Sequence, residues 1–114
     1  MANAFKSETD TGVGTGGSNV YTCPASTQTT VIGLTVANIE TSQIEVDVEL
    51  DASGRTSGAE DSVYLIKNAP VPVGSSLVVV GGEQKVCMEP GDVITVTSNT
   101  ASSADVALSI LEIS

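Results

Sequence analysis

The sequence predicts an all-β protein: an antiparallel β-sandwich, jelly-roll-like, with about eight strands. Runs rich in Val, Ile and Thr recur along the chain, separated by turn signals at intervals of roughly 8–12 residues. One of these runs alternates strictly between apolar and acidic residues, and no segment has the 3.6-residue period of a helix. The chain has 114 residues, which suits one domain with a single core.

The first predicted strand covers residues 19–23 and ends at Pro24. The second covers residues 30–39, whose Val and Thr content favours β-structure. Alternation within the second strand predicts three core-facing side chains: Ile32, Leu34 and Val36. Gly33 interrupts this strand and indicates a bulge or close packing.

The third predicted strand, residues 44–51, has the clearest pattern in the chain. Its apolar residues occupy every second position and predict the core-facing side: Ile44, Val46, Val48 and Leu50. Its acidic residues occupy the positions between and predict a solvated side: Glu45, Asp47, Glu49 and Asp51. A period of two over the whole segment is typical of a half-buried antiparallel strand.

The second half of the chain predicts five further strands, at residues 62–67, 77–80, 85–88, 93–96 and 105–113. The segment 68–74 contains Pro70 and Pro72, which lack a backbone donor, so it is expected to run along a sheet edge and cross between sheets. The segment 89–92 (EPGD) is expected to be a turn and not a site.

Residues 1–18 are predicted to form an extended arm in front of a sandwich domain at residues 19–114. The segment is rich in Gly, Ser and Thr, and Phe5 is its only large apolar residue. Gly12 and Gly14 would permit an extended path over another surface, and Phe5 could dock there. These three residues are therefore candidates for binding a partner, and Arg55 in the polar loop 52–61 is a fourth.

Charge and composition exclude several classes of function. Four basic residues stand against 14 acidic ones, a formal net charge of -10. Such a surface repels nucleic-acid backbones and anionic membranes. The start of the chain lacks the apolar run of a secretion signal, and no stretch approaches the roughly 20 apolar residues of a membrane span, so a soluble protein is expected.

Catalytic and metal motifs are not recognisable. The chain has no His, which rules out Ser-His-Asp and Cys-His arrangements, and no enzyme, cofactor or metal site is predicted. The GVGTGG segment at 12–17 lacks the strand, helix and Lys of a phosphate loop. The acidic row at 45–51 is interpreted as a solvated face, with a calcium surface as the alternative.

Two cysteines, Cys23 and Cys87, lie near the ends of predicted strands. Two small buried residues in a reducing compartment are the first expectation. A disulfide between neighbouring strands is the sharper alternative, and the sequence leaves it open.

A family resemblance rests on the phrases KNAPVPVGSSL, GGEQKV, MEPGD and ADVALSILE, and on the start of the chain up to Asn38. These resemble small structural proteins of tailed phages, especially phages of marine bacteria and cyanobacteria. The similarity covers nearly the whole chain and contains no catalytic motif. Cys23, Cys87 and a longer 52–61 loop depart from the pattern.

The resemblance implies a virion protein assembled in the host cytoplasm. A head decoration (cement) protein that binds the major capsid protein as a homotrimer is the first expectation. A neck or tail adaptor, or a fibre-base module bound to other virion proteins, is the second. The acidic row gives a third hypothesis of another class, a calcium- or carbohydrate-binding sandwich that recognises a host surface.

Overall fold

The computed structural model describes residues 3–81 and 83–114. This part of the chain contains nine strands and no helix. The strands are β1 (Asn3–Val13), β2 (Ser18–Thr22), β3 (Gln28–Asn38), β4 (Ile44–Asp51), β5 (Val63–Val71), β6 (Ser76–Val80), β7 (Val86–Met88), β8 (Val93–Ser98) and β9 (Ala104–Ile113).

The strands form two antiparallel sheets that pack face to face. Sheet A has the order β1-β9-β3-β6, with β7 also paired to β3, and sheet B has the order β2-β8-β4-β5. Every strand pairing is antiparallel. The predicted fold class, an antiparallel β-sandwich, is confirmed.

The core lies between the two sheets and is built mainly from Val, Ile and Leu. The predicted alternation of β4 is confirmed, since its apolar side chains at 44, 46 and 48 are all 0% exposed. On β9, the side chains of Val106, Leu108 and Ile110 are buried on one face, as expected. Burial of these rows against the opposite sheet is the main stabilising term of such a fold.

A bulge in β3 changes which of its residues face the core. The register between β3 and β9 shifts between Val31 and Gly33, where the glycine indicated an irregularity. Val31 and Leu34 are both fully buried, whereas Ile32 between them is partly exposed. The expectation that Ile32 faces the core is therefore wrong, because the extra residue reverses the alternation at that point.

The proline-containing segment lies at a sheet edge. Pro70 belongs to β5, the outermost strand of sheet B, where it lies opposite Glu45 of β4. Because proline has no N–H, only an edge strand can include it without losing a ladder bond. The chain then passes from β5 in sheet B to β6 in sheet A, as predicted, although the strand predicted at 62–67 continues to Val71.

A buried amide ties the two sheets at this crossing. Asn38, at the end of β3, donates from Nδ2 to the carbonyls of Val71 and Ser42, both at 2.9 Å. Its Oδ1 accepts from the Glu40 amide at 2.8 Å. Each of these hydrogen bonds pairs a buried polar group that would destabilise the fold if it had no partner.

Most of the arm predicted at residues 1–18 is part of the sandwich and does not lie in front of it. Residues 3–13 form strand β1, which pairs with β9 from Asn3 opposite Ile113 to Asp10 opposite Val106. The backbone is extended, as predicted, but its hydrogen-bond partner is the last strand of the same chain. The sequence did not predict β1 because its side chains are mostly polar. An edge strand does not require an apolar run. Met1 and Ala2 lie outside the described residues.

Candidate functional site

The outer face of sheet B is acidic, and it is called the acidic face below. It carries the carboxylates of β4: Glu45, Asp47, Glu49 and Asp51. Beside them, in register, lie Thr95 and Thr97 of β8 and Tyr64 of β5. Like charges in one row repel a second acidic surface, so this face resists association with a copy of itself.

Two carboxylates of the acidic face are already occupied by partners within the chain. Asp47 accepts from Lys67 Nζ at 3.2 Å and from the Asn68 amide at 2.7 Å. Asp51 Oδ1 accepts from the Ser53 hydroxyl, the Ser53 amide and the Ser62 hydroxyl, at 2.6, 3.0 and 2.8 Å. These bonds, led by the Ser53 hydroxyl, lower the pKa of Asp51.

The metal and carbohydrate hypotheses for this face gain no geometric support. In residues 3–81 and 83–114, no three acidic or Cys side chains are grouped closely enough to hold a metal ion. Tyr64, the exposed aromatic residue of this face, has Lys67 Nζ 4.5 Å from its ring centroid. One side of the ring that a sugar would stack on is therefore covered.

The outer face of sheet A has the opposite character, and it is called the neutral face below. Residues paired across antiparallel strands point to the same side, so the register defines its members. They are Phe5, Ser7, Thr9, Thr30, Thr35, Ala37, Ser76, Val78, Cys87, Asp105, Ala107, Ser109 and Leu111. Asp105 is the one charged residue in this set, and its Oδ1 accepts from the Thr11 hydroxyl at 2.6 Å.

Two large apolar side chains stand out from the neutral face. Phe5 is 78% exposed and Val78 is 63% exposed. The centres of protein interfaces are depleted of charge and enriched in aromatic residues. In a chain with a net charge of -10, a sheet face with this composition is the strongest candidate for an interaction surface.

The neutral face is also indented along its central strand, β9. A depression of about 460 Å³ lies over Ala107, with Thr9 of β1 and Thr35 of β3 among its lining residues. A second, of about 250 Å³, is lined in part by Phe5, Ser7, Ile32 and Ser109. The first depression lies over the small Ala107 side chain, whose neighbours Thr9 and Thr35 are larger. The second lies where small residues, Ser7 and Ser109, are paired between Phe5 and Ile32.

Of the four residues predicted to bind a partner, Phe5 is the one whose side chain is displayed to solvent. Gly12 has φ +67° and donates its amide to Asp105 Oδ1 at 3.2 Å, within the irregularity that interrupts the pairing of β1 with β9 between Asp10 and Val13. The Gly14 carbonyl accepts from the amides of Gly17 and Ser98. Gly12 and Gly14 therefore shape the bend from β1 to β2, and their contact with a partner stays a prediction.

Arg55 also has an internal role, and its contact with a partner stays a prediction. Its guanidinium binds Asp92 through Nε at 3.0 Å and Nη2 at 2.8 Å. A third nitrogen, Nη1, lies 3.2 Å from Glu89 Oε2. Asp92 is 0% exposed, and its Oδ2 also accepts from the Glu89 amide at 3.0 Å. Arg55 thus holds the 52–61 loop against the 89–92 turn.

The turn at 89–92 connects three parts of the fold. Asp92 N donates to Glu89 O at 3.0 Å, which confirms the predicted turn. The Cys23 amide donates to Asp92 O at 2.8 Å, and Gly91 N donates to Cys23 O at 3.0 Å. Thr56 N donates to Pro90 O at 2.9 Å. This junction, called the turn lock below, joins the end of β2, the 52–61 loop and the start of β8.

The two cysteines are free thiols, and the disulfide alternative does not match the structure. Cys23 is 2% exposed and packs in the core, whereas Cys87 is exposed on the neutral face. Burial raises the pKa of the Cys23 thiol, which disfavours the reactive thiolate. The expectation of two buried cysteines is thus met by Cys23 and corrected for Cys87.

A polar network closes one side of the sandwich, between β1, β9 and β2. Lys6 Nζ lies 2.8 Å from Glu112 Oε1, and Tyr21 donates its hydroxyl to Glu112 Oε2 at 2.6 Å. The Tyr21 hydroxyl is also 2.8 Å from Thr29 Oγ1. Burial raises the pKa of Tyr21, so its hydroxyl remains a donor.

This network predicts an acid-sensitive contribution to stability. The hydrogen bond from Lys6, followed by that from Tyr21, lowers the pKa of Glu112 from its ordinary value of 4.5. A carboxyl with a lowered folded pKa stabilises the fold above its unfolded pKa, and this stability is lost as pH falls through the folded pKa. Glu112→Gln should therefore destabilise the protein near neutral pH and make little difference in strong acid.

Urea unfolding at several pH values between about 7 and 2 measures this effect. Glu45→Gln is the matched control, because it removes the same charge from the acidic face, where the neighbouring carboxylates repel it. If Glu112→Gln lowers the free energy of unfolding by the same amount from neutral pH to strong acid, the ionised Glu112 carboxylate is not the source of the acid-sensitive stability.

Comparisons with protein-family models, with curated proteins and with solved structures found no match to this chain. In the part of the chain that the structure describes, no helix is long and apolar enough to cross a membrane.

The residues of the neutral face other than Phe5 were not among the predicted partner-binding residues. Ala107 and Ser109 lie within the ADVALSILE phrase, where small residues alternate with core-facing Val, Leu and Ile. That alternation was a usable signal for an outward face free of charge. The residues of β1 that share this face could not be identified from the sequence, because β1 and β9 are at opposite ends of the chain.

Proposed function

We propose that this protein is a non-enzymatic structural component of a phage virion, in the first place a head decoration protein that stabilises the capsid. The observation that carries the proposal is the neutral face, with Phe5 78% exposed upon it. The resemblance of the chain to small structural proteins of tailed phages supplies the virion context.

The distribution of charge supports an assembly role. The acidic face lies on one side of the sandwich and the neutral face on the other, so association is favoured through one side and opposed through the other. The neutral face combines few charges with an exposed aromatic residue, Phe5, a composition that is typical of the centres of protein interfaces.

The internal use of the reactive side chains favours a structural role over catalysis. The Cys23 thiol is buried, Tyr21 is held by Glu112 and Thr29, and Arg55 is bound to Asp92. Each of these groups contributes to packing or to the turn lock. Apart from the Cys87 thiol and the Asp105 carboxylate, the neutral face carries hydroxyl, methyl and aromatic groups.

Capsid binding tests the proposal directly. Purified protein is added to capsids that lack it, and the bound fraction is measured by co-sedimentation and located by electron cryomicroscopy. We expect wild-type protein to saturate regular sites on the head. Phe5→Ser should lower the occupancy at least about tenfold, because the variant removes the main apolar group of the neutral face.

Tyr64→Ser is the matched control, since it removes an aromatic residue that is 52% exposed on the opposite sheet. It should leave occupancy unchanged. Density for this chain only at the neck, tail or fibre base would overturn the decoration role in favour of an adaptor. Wild-type protein that binds no part of the particle would overturn the virion assignment.

A further inference from the structure

The neutral face carries both a projecting group and a depression large enough to admit it. Phe5 of β1 lies opposite Leu111 of β9, and Thr9 of β1 lies opposite Ala107 of β9. The 460 Å³ depression extends over Ala107, Val106 and Asp105 of β9, so its near end, at Ala107, lies four residues along the strand from Phe5, about 13 Å at the usual rise per residue. Its far end is lined by Asp10 and Asp105. A volume of this size falls within the range of pockets that hold small organic groups.

Ser7 and Ser109 lie halfway between the projection and the depression, and they face each other in the register. A two-fold axis that lies in the plane of the interface and passes between Ser7 and Ser109 places Phe5 of one copy opposite the depression of the other. We propose that the neutral face binds a second copy of this chain about such an axis, with Phe5 of each subunit filling the depression over Ala107 of the other.

The charge distribution permits contact between two neutral faces and disfavours contact between two acidic faces. Asp105, four residues along β9 from Ser109, is the one charged group in the set of residues that defines the neutral face. In the pair, the two copies of Asp105 would be about 26 Å apart, well beyond the screening length of about 8 Å at physiological salt. The two acidic faces point away from each other.

Pairing through the free edge of β1 is disfavoured by its own side chains. Lys6, Glu8 and Asp10 lie opposite core-facing residues of β9, so they are on the inner side of the strand. Charges on the inner side of an edge strand are a recognised protection against edge-to-edge pairing. The flat face, not the edge, is therefore available to a second copy.

The size of the face is adequate. Strands β1, β9, β3 and β6 have 11, 10, 11 and 5 residues and β7 has 3, so the face covers about 630 Å² at the usual strand spacing and rise. Protein interfaces of standard size bury about 600–1,000 Å² on each partner, and the face lies in the lower part of this range. The strands of two such faces also stack at the ordinary sheet-to-sheet distance of about 10 Å.

The geometry favours a dimer over the homotrimer that the resemblance implies. A three-fold ring requires two different contact surfaces on each subunit, whereas a two-fold contact uses the same surface twice. Phe5 and its matching depression both lie on one flat face, which meets the two-fold condition. The inference rests on the proposed use of the neutral face for association, but not on the location of the protein in the particle: the second copy covers this face in free solution and dissociates when the face binds the capsid.

Sedimentation equilibrium of the purified full chain tests the pairing. We expect a monomer–dimer equilibrium between about 1 μM and 1 mM protein. Phe5→Ser, and independently Ala107→Glu, should raise the dissociation constant at least about 30-fold, and Tyr64→Ser should leave it unchanged. Both replaced side chains are on the exposed side of their strands, so the fold should persist, which circular dichroism verifies.

Disulfide trapping in a Cys87→Ser background tests the position of the axis. Ser7→Cys and Ser109→Cys each lie beside the axis, so each should form a disulfide with its own copy on mild oxidation. Ser76→Cys is the control, since it is exposed on the same face but about 17 Å from the axis.

A wild-type protein that is monomeric at about 1 mM would overturn the pairing, as would a trimer or equal trapping at 7 and 76. Capsid binding by a monomer would leave the virion proposal standing. A dimer with the expected trapping pattern that binds no virion part would leave the pairing standing and overturn the virion proposal.

Discussion

Replacement of Arg55 by Ala is expected to lower the free energy of unfolding more than any other surface substitution in this chain. The reason is Asp92, whose carboxylate is 0% exposed and receives two hydrogen bonds from the guanidinium. Leaving a buried carboxylate without its charged partner costs about 3–5 kcal/mol. Total stabilities of small domains are only about 5–15 kcal/mol, so the urea midpoint should fall by a large fraction.

Replacing Asp92 as well as Arg55 tests whether the buried charge causes the loss of stability. In the double variant Arg55→Ala with Asp92→Asn, the buried charge is absent, and the amide oxygen can still accept from the Glu89 amide. The double variant should therefore be more stable than Arg55→Ala alone. Equal or greater destabilisation of the double variant would show that Arg55 acts through packing of its stem and not through the buried charge.

Lys67→Ala is the matched control for loss of a basic residue. Its ion pair with Asp47 has a similar length, 3.2 Å, but the lysine side chain is 52% exposed. Exposed pairs contribute little to stability because water and salt screen them. If Lys67→Ala lowers the free energy of unfolding as much as Arg55→Ala, burial of the Arg55–Asp92 pair is not the cause of the loss.

Gly91→Ala is expected to produce the second large loss of stability, because two separate constraints meet at this glycine. Its φ of +94° lies in the region that side chains rarely adopt. A Cβ atom there would also lie 2.1 Å from the carbonyl oxygen of Gly54 and 3.1 Å from the Arg55 Cα. The clash is with backbone, so relief requires the turn lock to open.

Two other glycines separate these constraints. Gly74 has φ +73°, but a Cβ atom added to it would have no other atom within 4 Å, so Gly74→Ala should show only the conformational cost, about 1–2 kcal/mol. Gly54→Ala meets one ordinary contact, the Gly91 carbonyl oxygen at 3.4 Å, so its loss should be small. Gly91→Ala should exceed the sum of the two in urea unfolding, and a loss no larger than that of Gly74→Ala would contradict the clash.

The elements that the sequence predicted best are those in which local pattern and burial agree. On β4, acidic and apolar residues alternate without a break, and the structure buries the apolar set. Pro70 indicated an edge because the missing N–H is a property of the residue itself. The turn at 89–92 was likewise predictable, since proline, glycine and aspartate each favour it through their own backbone chemistry.

The elements that it missed depend on contacts between distant residues. β1 has no apolar row, and its identity as a strand comes from hydrogen bonds to β9 at the other end of the chain. The exposure of Ile32 follows from a bulge whose register is set by β9. Arg55 stood in the sequence as a lone charge in a polar loop, because Asp92 is 37 residues away.

The candidate site divides in the same way. The sequence by itself determined the fold class, the acidic row and the presence of Phe5 in an N-terminal segment rich in Gly, Ser and Thr, because alternation and composition are local properties. The tertiary structure decided that Phe5 shares a face with Ala107 and Ser109, and that Arg55 and the glycines at 12 and 14 serve the fold. Strand pairing brings these residues together, and pairing is determined by the burial and hydrogen bonding of the whole chain.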